Sequence, residues 1–314
     1  MDWTKTVFTF PGQGSQVVGM GKDLAEKYPI ARQTYDQADE ILGFKLSALC
    51  FDGPEADLNR TLNTQPAIYT TSVAFLRVLQ ALVPQRAFAA AGHSLGEFTA
   101  LYAADAITFE DGLRLVRERG RLMNEAGEQN PGAMAAVLGL ESDKGREICA
   151  QATTEIGRPV IVANDNCPGQ LVISGDMEAI ERALALASEA GAKRTMKLAV
   201  SIAAHSPLMA PAADAFRVAL NTAAMKDPTI PIYGNVNAQP LTTVESLRTE
   251  LDFQLTGSVC WTDSIRNMIA AGAAYFLEIG PGDVLTGLLK RIDRSVSGTA
   301  INNVESLEKF IAAN

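Results

Sequence analysis

RAFAAAGHSLGEFTALYAA, residues 86–104, is the stretch on which the fold turns. Arg86–Ala91 is a run of small, mostly apolar residues that reads as a strand, and Glu97–Ala104 reads as a helix. Between them Gly92-His93-Ser94-Leu95-Gly96 fits G-x-S-x-G. In that pattern a sharp strand-to-helix turn projects a serine and the flanking glycines relieve crowding. Five residues with three fixed positions recur by chance, so the weight comes from the strand before and the helix after.

Outward from this turn the chain alternates strands and helices. Val7–Phe10 reads as a short strand broken by the loop Pro11-Gly12-Gln13-Gly14-Ser15-Gln16, and helical periodicity covers about 20–50 and Gln65–Leu82. Thr108 with Asp111 resembles a capping box for a helix from about Glu110 to Ala126, ended by Asn130-Pro131-Gly132. The pattern then changes. Ala133–Leu140, Pro159–Ala163, Gln170–Ser174 and Lys193–Val200 read as strands, with helices at Ser142–Ala152 and Met177–Ala190. That order, βαββαβ, is the ferredoxin-like unit. Alternation resumes with a helix opened by Ser206-Pro207 and running to about Met225, then a strand at Ile230–Asn235. Helices at Leu247–Leu255 and Thr262–Ala271, a strand at Tyr275–Ile279 and a helix through Arg291 complete it. The expected architecture is α/β, with a large unit at 1–130 and 201–314 split around a smaller ferredoxin-like unit at 131–200.

Composition narrows the function classes. The 314 residues are 47% hydrophobic and 20% charged, the balance of a chain that buries a substantial core. A formal charge of -9 opposes general attraction to nucleic acid or to an anionic membrane surface. No apolar run approaches the roughly 20 residues of a membrane span, and the polar start MDWTKT is unlike a secretory signal. Cys50, Cys149, Cys167 and Cys260 are scattered and form no C-x-x-C pair, as expected of reduced thiols in the cytoplasm. Two histidines and four isolated cysteines give no metal-ligand cluster.

A serine hydroxyl needs a base to become a nucleophile near neutral pH. Only His93 and His205 offer an imidazole. His93 is covalently next to Ser94, where neighbouring side chains at a tight turn diverge, so packing is its expected role. His205 lies at the seam where the smaller unit returns to the larger, and it is the candidate base. Of the arginines on the 110–126 helix, Arg119 alone has Leu115, Val116, Leu122 and Met123 as its helical neighbours. Arg114, Arg117 and Arg121 read as a solvated face paired with acids. A cation on the apolar stripe calls for an anionic partner, structural or substrate.

Seven blocks in the same order carry a further likeness: PGQGSQ at 11–16, GHSLGE at 92–97, RERG at 117–120, MAAVLGL at 134–140, PGQLVISG at 168–175, HSPLM at 205–209 and EIGPGDVLTGLLKRI at 278–292. Together they resemble the malonyl-CoA:acyl-carrier-protein transacylase family. The resemblance implies an α/β-hydrolase-like large domain with a ferredoxin-like insert. It implies Ser94 as nucleophile, His205 as base, Arg119 as clamp for the malonyl carboxylate, and the backbone N–H groups of Gln13 and Leu95 as oxyanion donors. A main-chain carbonyl near Gln254 would orient the histidine. The implied reaction is ping-pong transfer from malonyl-CoA to the phosphopantetheine thiol of an acyl carrier protein; no cofactor or metal is expected, and a monomer is the expected state. Ala204, Cys167 and Asp283 depart from the family pattern, Ala204 beside the acyl pocket. The alternative is a serine thioesterase or esterase, but such enzymes place the histidine close to the C-terminus, and here more than 100 residues follow His205.

Overall fold

The computed structural model describes residues 1–198, 200 and 202–314. Among these, ten strands form two sheets: β1 Thr6–Phe10, β2 Ala89–Gly92, β3 Ala133–Leu138, β4 Val160–Cys167, β5 Gln170–Gly175, β6 Arg194–Lys197, β7 Ile232–Tyr233, β8 Pro240–Leu241, β9 Tyr275–Ile279 and β10 Ser297–Ile301. The larger sheet runs β10-β9-β1-β2-β7-β8, and every neighbouring pair is parallel except β7 with β8. Parallel strands covered on both faces lose the polar alternation of a half-solvated sheet. Val7 and Phe276 accordingly face one apolar cluster with Trp261 and Met268, while Phe8, Phe10 and Leu277 face another built with the helices Thr61–Leu82 and Phe109–Gln129.

The smaller sheet is antiparallel in the order β4-β5-β3-β6, the ferredoxin-like arrangement. Ala135, Val137, Leu171 and Ile173 point to the helices Ser142–Ile156 and Met177–Glu189, which cover one face with their own apolar stripes. Met134, Gln170 and Val172, on the opposite face, line a cleft toward the larger sheet. The seam is hydrogen-bonded. Asp165 N donates to Val259 O at 2.9 Å, Val259 N to Ala163 O at 2.8 Å, and Thr262 Oγ1 to Asp165 Oδ1 at 2.6 Å.

Several elements differ from the sequence reading. Gln65–Leu82 begins earlier, at Thr61, and contains Pro66. A proline there deprives the Leu62 carbonyl of its helical donor, and Arg117 Nη1 supplies one at 2.6 Å. Arg117 is therefore bonded to backbone rather than to acids, whereas Arg114 pairs with Glu110 and Arg121 with Glu118 and Glu125, as expected. The strand expected at Ile230–Asn235 shrinks to Ile232–Tyr233: Pro231 has no N–H, and the Asn235 carbonyl accepts from Cys260 N outside the sheet. Lys193–Val200 shortens to Arg194–Lys197; Ala199 within it, and Ser201 at the expected domain boundary, lie outside the described residues. The 20–50 region is three helices, Lys22–Lys27, Pro29–Leu42 and Leu46–Asp52, and the helix expected from Ser206 begins as a short 3-10 turn.

Candidate active site

Ser94 sits where β2 meets the helix Gly96–Ala103, with φ +52°, a left-handed conformation that costs a non-glycine residue energy. Sterics at the turn leave no alternative to its glycines. A Cβ on Gly92 would lie 1.9 Å from the Gly96 carbonyl carbon, and one on Gly96 would lie 2.1 Å from Phe10 O. Asn235, fully buried, clamps the turn: Ser94 N donates to its Oδ1 at 2.6 Å, and its Nδ2 donates to Gly92 O at 2.8 Å.

His205 arrives from the other side of the cleft, also left-handed at φ +57°, and is 3% exposed. Its Nε2 is 2.7 Å from Ser94 Oγ. Its Nδ1 is 2.8 Å from Gln254 O and 3.1 Å from Gly257 O. Carbonyl oxygens only accept, so Nδ1 carries the proton and Nε2 presents its lone pair to the serine. Burial and then the charge of Arg119 push the imidazole down to about 3. It is neutral, and able to accept, across the physiological range.

Arg119 is 1% exposed, as its place on the apolar stripe predicts. Nη2 donates to Ser94 Oγ at 3.1 Å and to Gln254 Oε1 at 3.0 Å, and Nη1 to Met123 Sδ at 3.2 Å. Nε has no partner among the described residues. No carboxylate among the described residues forms an ion pair with it, and burial, opposed in part by the charge of Glu97, lowers its pKa to about 10. A buried guanidinium with an unsatisfied edge is costly unless an anion completes it.

These three side chains open on a cleft of about 690 Å³ lined also by Gln13, Asn166 and Ala204. A Cβ on Gly12 would meet His93 O at 2.4 Å, so the 11–14 loop presses on the serine turn. The N–H groups of Gln13 and Leu95 have no acceptor among the described residues. His93 bonds Asn166 Oδ1 at 2.8 Å and packs against Trp261, a structural placement. No group of three or more His, Cys, Asp or Glu among the described residues could hold a metal ion. Sequence reading did not find Asn235 or Glu97, nor the Gln254 side chain, which donates to Ser94 O at 3.0 Å and to Glu97 Oε2. Each belongs to the site only through contacts distant in sequence, and the sole advance signal was the place of Glu97 in GHSLGE.

Comparison with known proteins gives a consistent picture. The family model for the acyl transferase domain matches residues 7–308. The malonyl CoA-acyl carrier protein transacylase of Bacillus subtilis is 44% identical over 98% of this chain and 96% of its own length. That of Escherichia coli K12 is 44% identical over 97% and 98%. Among solved structures, an acyl carrier protein S-malonyltransferase from Vibrio cholerae superposes with TM-score 0.94 at 45% identity, covering 98% of this chain and 99% of that one. A malonyl-transacylase in complex with a type II polyketide synthase acyl-carrier protein superposes with TM-score 0.95 at 42% identity, covering 99% and 100%.

Proposed function

The chain belongs to the acyl transferase domain family, among its malonyl-CoA:acyl-carrier-protein transacylases, and on that premise we propose how its own residues carry malonyl transfer. It is an S-malonyltransferase that takes malonyl-CoA and an acyl carrier protein as substrates. Neutral His205 accepts the Ser94 proton as Oγ attacks the thioester carbonyl, and the resulting imidazolium protonates the departing coenzyme A sulfur. The N–H groups of Gln13 and Leu95 receive the developing oxyanion. Arg119 takes the malonyl carboxylate on the edge that protein groups leave unsatisfied, which fixes the carbonyl against Ser94. The carrier's phosphopantetheine thiol then attacks the malonyl-serine ester with His205 again as base.

One observation carries this reading. His205 Nε2 and Arg119 Nη2 converge on the same serine oxygen, at 2.7 and 3.1 Å. A base and an unpaired cation on one nucleophile suit an acyl donor that bears its own negative charge. A serine hydrolase needs no such cation.

The same reading assigns residues 1–130 and 201–314 to a catalytic domain and 131–200 to an inserted one, supported by their separate apolar cores. It requires no cofactor or metal. It places the protein in the cytoplasm, supported by four unpaired cysteines; no described helix is long and apolar enough to cross a membrane. It takes the monomer as the working state, supported by the scatter of exposed apolar side chains such as Ile30, Leu82 and Val218. The test against a hydrolase is coenzyme A release with no thiol acceptor present. A single burst matching the enzyme concentration, with turnover only on adding carrier protein, is expected. Sustained release without acceptor would overturn transfer in favour of hydrolysis.

A further inference from the structure

Glu97 is a glutamate only 1% exposed, and the mechanism above does not use it. Its Oε2 accepts from Gln254 Nε2, and its Oε1 has no partner among the described residues. Gln254 stands between it and the site. The residue's main-chain carbonyl holds His205, while its side-chain Oε1 accepts from Arg119 Nη2 and its Nε2 also donates to Ser94 O. The polarity of this chain is fixed by its ends. A guanidinium only donates and a peptide carbonyl only accepts, so the amide must turn its oxygen to Arg119 and its nitrogen to Ser94 and Glu97.

We propose that Glu97 is a positioning residue for malonyl recognition: as the second acceptor for Gln254 Nε2, beside Ser94 O, it anchors the Gln254 amide whose oxygen sets Arg119 against Ser94 Oγ. The proposal rests on the reading of Arg119 as carboxylate clamp. An arginine side chain has many rotamers, and a clamp is effective only if few are lost on binding. No carboxylate among the described residues is hydrogen-bonded to Arg119, which leaves its edge open to substrate and makes its position depend on Gln254, Met123 and Ser94 Oγ. The Gln254 amide in turn is held at its far end by Glu97. A direct Glu97–Arg119 pair would compete with the substrate carboxylate; an amide between them orients the cation and leaves its edge available.

Burial and the neighbouring Glu250 raise Glu97 toward its neutral form. Either form accepts at Oε2, and so would a glutamine carbonyl. Glu97→Gln should therefore stay within about threefold of wild type in malonyl transfer. Glu97→Leu removes the acceptor and should lower kcat/KM for malonyl-CoA about tenfold or more, chiefly through KM, with acetyl transfer changed less than about threefold. Gln254→Met keeps the carbonyl that holds His205 but removes the amide from Arg119, Ser94 O and Glu97 together, and should lower malonyl transfer at least as much as Glu97→Leu. The double variant should lose no more than the larger single loss, because both changes break one chain.

Arg119→Ala, measured alongside, separates the two levels. If it fails to discriminate malonyl from acetyl, the clamp reading itself falls. If it discriminates but Glu97→Leu lowers both substrates equally, or its loss adds to that of Gln254→Met, then Glu97 is packing alone and the proposal is overturned. Should Glu97→Leu not fold, Glu97→Gln still decides it: retained malonyl transfer is expected, and a tenfold malonyl-selective loss would contradict the acceptor role.

Discussion

A neutral imidazole beside a guanidinium is an arrangement that acid disturbs early. Burial and Arg119 hold His205 at about 3 in the folded protein, against about 6.5 in an unfolded chain. Between those values the unfolded chain binds a proton that the folded one refuses, so this group's contribution to stability rises with pH through that window. It is complete above about 6.5 and is lost as pH falls toward 3. Urea midpoints taken from about pH 7.5 down to about pH 4.5 should fall, and His205→Gln should flatten part of that slope. An unchanged slope would mean that other groups set it. Arg119 bears on the same proton, since its charge is the second cause of the depression. Arg119→Ala should move the acid limb of Ser94 acylation upward. The same variant should lose about 2 to 4 kcal/mol of malonyl transfer while acetyl transfer changes little. Comparison of kcat/KM for the two thioesters checks this, and equal losses would make Arg119 structural. Arg119 was legible in the sequence because a lone arginine on an apolar stripe violates the helix pattern. Asn235 was not, because a short polar residue after a strand is ordinary in sequence, and only the fold brings it to within 2.6 Å of Ser94 N.

At the scale of elements, the serine turn is where local sequence and tertiary contact agree most closely. Gly92 and Gly96 stand where any side chain would strike backbone within about 2 Å. Gly96→Ala should therefore cost about 1 to 3 kcal/mol or more of stability by overpacking against Phe10 O, and the malonyl adduct on Ser94 should fall with it. Chemical denaturation and adduct yield on the one variant check both, and a variant with unchanged midpoint and yield would contradict the steric account. Strands with strong apolar patterns were read to within a few residues, Tyr275–Ile279 without error. Ser297–Ile301 was not read at all. It is an edge strand, Ser-Gly-Thr-Ala-Ile, in which only Ile301 is buried, so its residues carry little of the signal that burial imposes on central strands. The start of the Thr61–Leu82 helix was hidden for another reason. Pro66 reads as an early-helix residue, yet the fold tolerates it further in because Arg117 satisfies the carbonyl it leaves open.

Over the whole molecule, the residues that meet at the cleft come from both sides of the smaller sheet in sequence: Ser94 and Arg119 precede it, and His205 and Gln254 follow it. The order βαββαβ between them was legible because each strand and helix there is short and separated by a turn. The packing of that sheet's uncovered face over the cleft was not, since Met134, Gln170 and Val172 have no local pattern that names what they face. The seam hydrogen bonds through Asp165, Val259 and Thr262 fix the two sheets against each other and thereby set the cleft above Ser94. A site assembled this way predicts one covalent event at one oxygen. The most direct measurement is the intact mass of the protein after mixing with malonyl-CoA in the absence of carrier. Wild type should gain a single malonyl group that is discharged when carrier protein is added, and Ser94→Ala should gain none. An adduct of the same yield in Ser94→Ala, or one in wild type that carrier protein does not remove, would contradict the account.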